Sequence, residues 1–319
     1  MPDFIATAKK LLQTNMGLQK GEKLLILCDE TTLKIGESLF AAGEELEAEA
    51  LLLRMPRLPR SGMEPPAIVT EAMAKADVVI APLGASITHT QAKKQAAAAG
   101  ARIATMPGIT EEMFFQGPIT ADYSQVAVLT KKVTALLDAA DNAEIITGEC
   151  GQYSLKMSLK GRNGVASTGV YTQKGQSGNL PSGEGFIAPL EGTAEGKICI
   201  DGSFVGFGLL DEPMVLTFHE GLLTEAEGAK AQELFAMLGD NPAARNLAEL
   251  GIGTNDKARV TGVILEDEKI YGTIHIALGS NDTFGGTVAA GIHVDGVVRR
   301  PILKLSGETV LSEGELACK

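Results

Sequence analysis

Four histidines occur in the chain, and two of them, His275 and His293, stand in settings that suit metal chemistry. In Gly272-Thr273-Ile274-His275-Ile276-Ala277-Leu278, strand geometry sends Ile274, Ile276 and Leu278 to one face and Thr273, His275 and Ala277 to the other. Small neighbours therefore leave room beside the imidazole. In Gly291-Ile292-His293-Val294-Asp295-Gly296 the same alternation puts His293 and Asp295 on one face, about 6–7 Å apart at Cα. Both can reach one ion at about 2.0–2.2 Å from their ligating atoms. A single histidine on a strand is more often a hydrogen-bonded core group, and Asp295-Gly296 is also a hairpin signal. The His-x-Asp pair with a second histidine in similar company points towards metal. Glu184 lies in the Pro/Gly-constrained run Asn179-Leu180-Pro181-Ser182-Gly183-Glu184. Glu249 lies in the apolar, glycine-rich run 247–253, where a bare carboxylate is costly to bury. For each of these glutamates a solvated position is the equal alternative. Glu266-Asp267-Glu268-Lys269 reads as an exposed turn between strands at 260–265 and 270–278, without chemistry. His219 reads as structural, and His89 as a helix-start residue.

The elements that must position these side chains change character along the chain. In the first half, short apolar runs at 23–28, 50–53, 77–81 and 101–106 read as strands buried on both faces. Helical spacing follows from Leu33, at 67–76 and at 90–99, and Pro56 to Pro66 is a loop. Alternating strands and helices imply parallel pairing. A long helix from Tyr123 to Ala140 leads out. An open parallel sheet binds ligands beyond the carboxyl ends of its strands, here Asp29, Gly84-Ala85-Ser86 and Gly108. No GxGxxG follows the first strand and no GK[ST] occurs, so a scaffold role is favoured over a nucleotide site. In the second half, period-two alternation and glycine turns argue half-buried antiparallel strands, interrupted by a helix at 225–238 with Thr224 as N-cap. The expected fold class is α/β: an N-terminal open, mostly parallel sheet domain (1–141), then a strand-rich α+β metal-site domain (142–319).

Composition narrows the function classes. The 319 residues carry 28 basic and 40 acidic side chains, a net charge of −12, and the longest basic runs are dipeptides. Phosphate recognition needs a basic face, so a nucleic-acid partner is not expected. Aromatic residues are only 4% and tryptophan is absent, which weakens any base-stacking platform. No apolar run approaches about 18–20 residues, so no membrane span is expected, and no secretory signal is visible. Cys28, Cys150, Cys199 and Cys318 lie far apart without a CxxC, as in a reduced, cytoplasmic protein.

The ordered segments Asn179–Glu184, Ala188-Pro189, Glu191-Gly192, Asp201-Gly202-Ser203, Ala248–Gly253, His275–Gly279 and Ile292–Gly296 resemble the aminopeptidase T (thermophilic, leucyl-type) metallopeptidases. The chain reads as a short, divergent member. The resemblance implies a homodimer, a small peptide substrate, and two divalent ions, Zn, Co or Mn, on Glu184, Glu249, His275, His293 and Asp295. Glu184 or Glu249 would act as general base on a metal-activated water. The peptidases carry a ligating tyrosine after the histidine of the His-x-Ala-x-Gly segment. Here that stretch, Ser280–Gly286, holds Phe284 and no tyrosine, with Asn281 or Asp282 as candidate substitutes through oxygen. The departure raises an alternative from relatives that resemble ring-cleaving dihydroxypyridine dioxygenases. His275, His293 and Asp295 then form the two-histidine, one-carboxylate set of non-haem Fe(II). A non-catalytic metal-binding module is the remaining reading. The hydrolase is the main expectation, with His275→Ala as its test.

Overall fold

A computed structural model describes residues 3–317, so Cys318 lies outside the described residues. The chain forms two compact units: Met1–Ser124 with Gly169–Ser182, and Gln125–Thr168 with Gly183–Lys319. The boundary expected near residue 141 falls inside the second unit, just before the strand Asn142–Thr147.

The first unit is built on a five-stranded, wholly parallel sheet. Its order is Glu49–Arg54, Lys23–Cys28, Val78–Leu83, Arg102–Pro107 and Ser177–Asn179. Its apolar runs are continuous because helices cover it; Leu24, Ile26, Val79, Ile80 and Ile103 are all buried. The fifth strand, Ser-Gly-Asn, has no apolar run and gives no signal in the sequence. Asp29, at the end of the first strand, spends its carboxylate on its own neighbourhood. Oδ2 accepts from the Gly84 amide at 2.7 Å, and Oδ1 accepts from the Thr31 amide at 2.9 Å and hydroxyl at 2.6 Å. That geometry fits the scaffold reading.

The second unit holds two antiparallel sheets, of eight and seven strands. The seven-stranded sheet carries the candidate site. Its centre runs His293–Val298, Ile274–Gly279, Leu247–Gly253 and Glu184–Ile187 in spatial order. Ile187, Leu250, Ile252, Ile274, Ile276, Leu278, Val294 and Val298 all point to the main core, with Val133 and Leu137 of the helix Tyr123–Asp138. Because side chains alternate, the other face must take Glu184, Phe186, Glu249, Gly251, His275, Ala277, His293 and Asp295. The apolar face thus fixes the register, and the register aims the polar residues. Ile276 is 1% exposed at the centre of this layer. Ile276→Ala is expected to cost about 2–5 kcal/mol, read as a lower denaturation midpoint with an unchanged slope.

The helix expected at 225–238 is shorter than the sequence suggested, running Ala231–Leu238. Residues Leu222–Glu227 form a strand paired antiparallel with Met214–His219. Glu220 and Gly221, both at positive φ, reverse the chain between them. Leu223 packs in the core while Thr224 and Glu225 face solvent, so an edge strand's charges mimicked a helix start. No helix among the described residues is long and apolar enough to cross a membrane.

Candidate metal centre

Cross-strand register brings the polar residues together. Ala277 pairs with Glu249 on one side and Asp295 on the other, Gly251 pairs with His275, Gly279 with His293, and Gly253 with Glu184. Glycine and alanine therefore make the floor on which two imidazoles and three carboxylates stand. The Glu249 carboxylate spans the two rings: Oε1 lies 3.2 Å from His275 Nε2, and Oε2 lies 3.4 Å from His293 Nε2. Asp295 Oδ1 lies 3.3 Å from His293 Nε2, and Glu184 Oε2 lies 3.5 Å from His275 Nε2. Ligands about 2.1 Å from one ion and at right angles to each other sit about 3 Å apart. Successive members of the run His275–Glu249–His293–Asp295 have that spacing. Two triads, Glu249/His293/Asp295 and Glu184/Glu268/His275, have ligand atoms mutually within 4.8 Å.

Outer contacts fix the rings. His293 Nδ1 donates to the Ser280 carbonyl at 2.8 Å, which leaves Nε2 as the ligating atom. Phe284 meets the His293 ring edge-on at 5.8 Å between centroids, and Phe186 meets Phe284 at 5.4 Å. His275 Nδ1 and Glu184 Oε2 are buried without a hydrogen-bond partner. An orphaned carboxylate oxygen beside a buried imidazole is the kind of group a cation satisfies. Neither candidate substitute for tyrosine joins the clusters. Asn281 donates to Glu191 Oε1 at 3.0 Å and accepts from the Val288 amide at 2.9 Å, and Asp282 is exposed.

Electrostatics follow from this crowding. Burial pushes Glu249 up, but His275 and His293 together outweigh it and hold the carboxyl down at about 2. Burial pushes His275 down, yet Glu249 and Glu184 reverse it and raise the imidazole to about 9. His293 is raised well above its ordinary value: Asp295 and Glu249 overcome the opposing burial. Protons and metal therefore compete for the same nitrogens. Divalent-ion affinity is expected to climb as pH rises from about 6.5 to 9, by about tenfold per unit for each proton displaced. Chelator-treated protein should show the reverse trend in stability. The imidazolium contribution is complete below pH 6.5, the unfolded value, and is lost as pH rises through about 9. Mn(II) titrations and thermal melts across that range check both signs.

The sequence reading missed part of this centre. Glu266–Lys269 is not an exposed turn between two strands: residues 260–265 form no strand, Glu266 and Asp267 close the short helix Ile264–Asp267, Glu268 and Lys269 follow it, and all four are buried. Each charge has a distant or local partner that hides it. Asp267 accepts from the Thr261 and Gly262 amides, Glu266 pairs with Arg259 at 3.1 Å, and Lys269 Nζ contacts Glu184 Oε1 at 2.6 Å and Glu268 Oε1. Burial raises Glu268 to about 7. Only the flanking Leu265 and Ile270 hinted at burial. His219 stays outside the centre, exposed and 3.1 Å from Glu195.

Comparison with known proteins separates the two chemistries. A comparison with curated sequences gave no match. The fold is similar to 2,5-dihydroxypyridine dioxygenase from Pseudomonas putida KT2440, with TM-score 0.82 and 18% identity over 99% of this chain and 97% of that one. It is also similar to wild-type AmpT from Thermus thermophilus, with TM-score 0.73 and 18% identity over 99% of each chain. Resemblance to the aminopeptidase T group is therefore a likeness of fold. A sequence model of the NicX family, 2,5-dihydroxypyridine 5,6-dioxygenase, matches residues 3–318. That match overturns the hydrolase expectation, and proteolysis with it. An oxygenase replaces it. The chain belongs to the NicX 2,5-dihydroxypyridine 5,6-dioxygenase family.

Proposed function

We propose that this protein is a metal-dependent dioxygenase that opens a small dihydroxylated aromatic ring of the dihydroxypyridine kind. The observation that carries it is the run of N···O separations from 3.2 to 3.4 Å linking His275, Glu249, His293 and Asp295. In a member of this family, that donor set fits Fe(II). Two imidazoles with carboxylates suit a hard or borderline ion. Glu249, His293 and Asp295, whose ligand atoms lie mutually within 4.8 Å, would hold it with His275 reaching it from the Glu249 side, and bound iron would supply the electrons and open positions that let dioxygen and a ring hydroxyl react together.

The chain's own groups prepare that site. Ser280 fixes the tautomer of His293, and Glu249 orients both imidazoles at once. Phe284 takes the place where a peptidase would put tyrosine. A phenyl ring cannot ligate, so Phe284 would add no donor to a bound ion. With Phe186 it lines the His293 side with aromatic surface, which offers a planar ring an edge-on contact. A homodimer remains part of the proposal on resemblance alone.

The test is oxygen uptake by anaerobically iron-loaded protein given 2,5-dihydroxypyridine. Stoichiometric uptake with loss of the ring chromophore supports the reading. Hydrolysis of leucyl peptides without oxygen uptake would overturn it.

A further inference from the structure

Lys269 is completely buried, and it stands inside a cluster that could otherwise bind a second ion. Its ammonium contacts Glu184 Oε1 at 2.6 Å and also Glu268 Oε1. Those two carboxylates are, with His275, one of the two triads of metal-ligating geometry in this unit. In the other triad, Glu249/His293/Asp295, both carboxylates form ion pairs with histidine. A flexible lysine stem is seldom buried whole, because its charge must be matched by partners that are themselves withdrawn from water. Here one cation satisfies one oxygen of each of two buried carboxylates.

We propose that Lys269 stands in for a second metal ion and so restricts the centre to a single one. The inference rests on the reading of Glu249, His293 and Asp295, with His275 reaching in beside Glu249, as a metal site. The ammonium supplies positive charge where a second divalent ion would sit, takes up its carboxylate donors and repels any ion that approaches. Glu184 then keeps one oxygen free on the His275 side, at 3.5 Å, so it steadies the ring without belonging to a second site. Lys269 is a positioning residue in this account. It sets metal count, and through it which chemistry a shared fold can perform: a metal pair suits hydrolysis, whereas a single ion with open positions suits oxygen activation.

The experiment counts Mn(II) ions per chain by elemental analysis after equilibrium dialysis, and reads their coupling by electron paramagnetic resonance. The wild type should hold one ion with the signal of isolated Mn(II). Lys269→Met should hold two, with the broadened signal of a coupled pair. Glu268→Gln should still hold one at an affinity within about twofold of wild type. Two ions in the wild type, a folded Lys269→Met that still holds one, or a lost ion in Glu268→Gln would overturn the proposal. If Lys269→Met does not fold, the wild-type count and Glu268→Gln decide. No ion in the wild type would instead overturn the metal-site reading on which the inference rests.

Discussion

Replacing His275 with alanine is expected to lower metal affinity by at least about 100-fold, with ring-opening activity lost in proportion. Losing an outer partner of a metal ligand already costs about 10–100-fold, and His275 faces the ion itself. Its Nε2 lies beside both Glu249 and Glu184, and no other imidazole is placed to replace it; His89 and His219 are absent from both metal-ligating groups. The fold should survive. His275 projects from the polar face of its strand, while Ile274, Ile276 and Leu278 hold the strand to the core from the other side. Glu249 would lose one of the two partners that hold its carboxyl low, so that group should titrate higher in the variant. Elemental analysis and circular dichroism on the same preparation check both halves. Full metal content in His275→Ala would show that the ion sits elsewhere.

Gly251→Ala is expected to do nearly as much damage from a residue that carries no chemistry. A Cβ there would lie 2.0 Å from His275 Nε2 and 2.2 Å from Cε1, so the imidazole must leave its place. Backbone conformation is not the obstacle, because Gly251 is absent from the positive-φ glycines. An alanine in a strand would ordinarily gain about 0.5–1 kcal/mol over glycine. Overpacking at about 1–3 kcal/mol reverses that gain. The variant should therefore be less stable and bind metal at least about tenfold more weakly. Gly251→Ala with His275→Ala should recover the stability and not the metal. Thermal melts of the single and double variants, set against their metal content, separate steric displacement of the ring from a general weakening of the sheet.

Much of this arrangement is legible in the sequence because strand periodicity is local. The alternation of Ile274, Ile276 and Leu278 with His275 and Ala277 fixes which face each residue takes, whatever the strand pairs with. The parallel sheet of the first unit is equally readable, since burial on both faces leaves unbroken apolar runs such as 23–28. What cannot be read is what depends on partners far along the chain. Lys269 looks like a solvated charge until Glu184, 85 residues away, is folded onto it. The strand Ser177–Asn179 exists only because Ile103, Ala104 and Thr105 offer it an edge. The reaction class was obscured for a related reason. AmpT and 2,5-dihydroxypyridine dioxygenase share this fold, so short motifs around Glu249, His275 and His293 do not tell one reaction class from the other. Phe284, where a ligating tyrosine was expected, was the local sign that the chemistry differs.

The most direct measurement of the central claim is the fate of labelled oxygen. Iron-loaded protein is given 2,5-dihydroxypyridine under ¹⁸O₂, and the product is examined by mass spectrometry. The account predicts that both labelled atoms of one dioxygen molecule appear in a ring-opened product, and that none appears with His275→Ala. A product without label, or one labelled only from H₂¹⁸O, would contradict it.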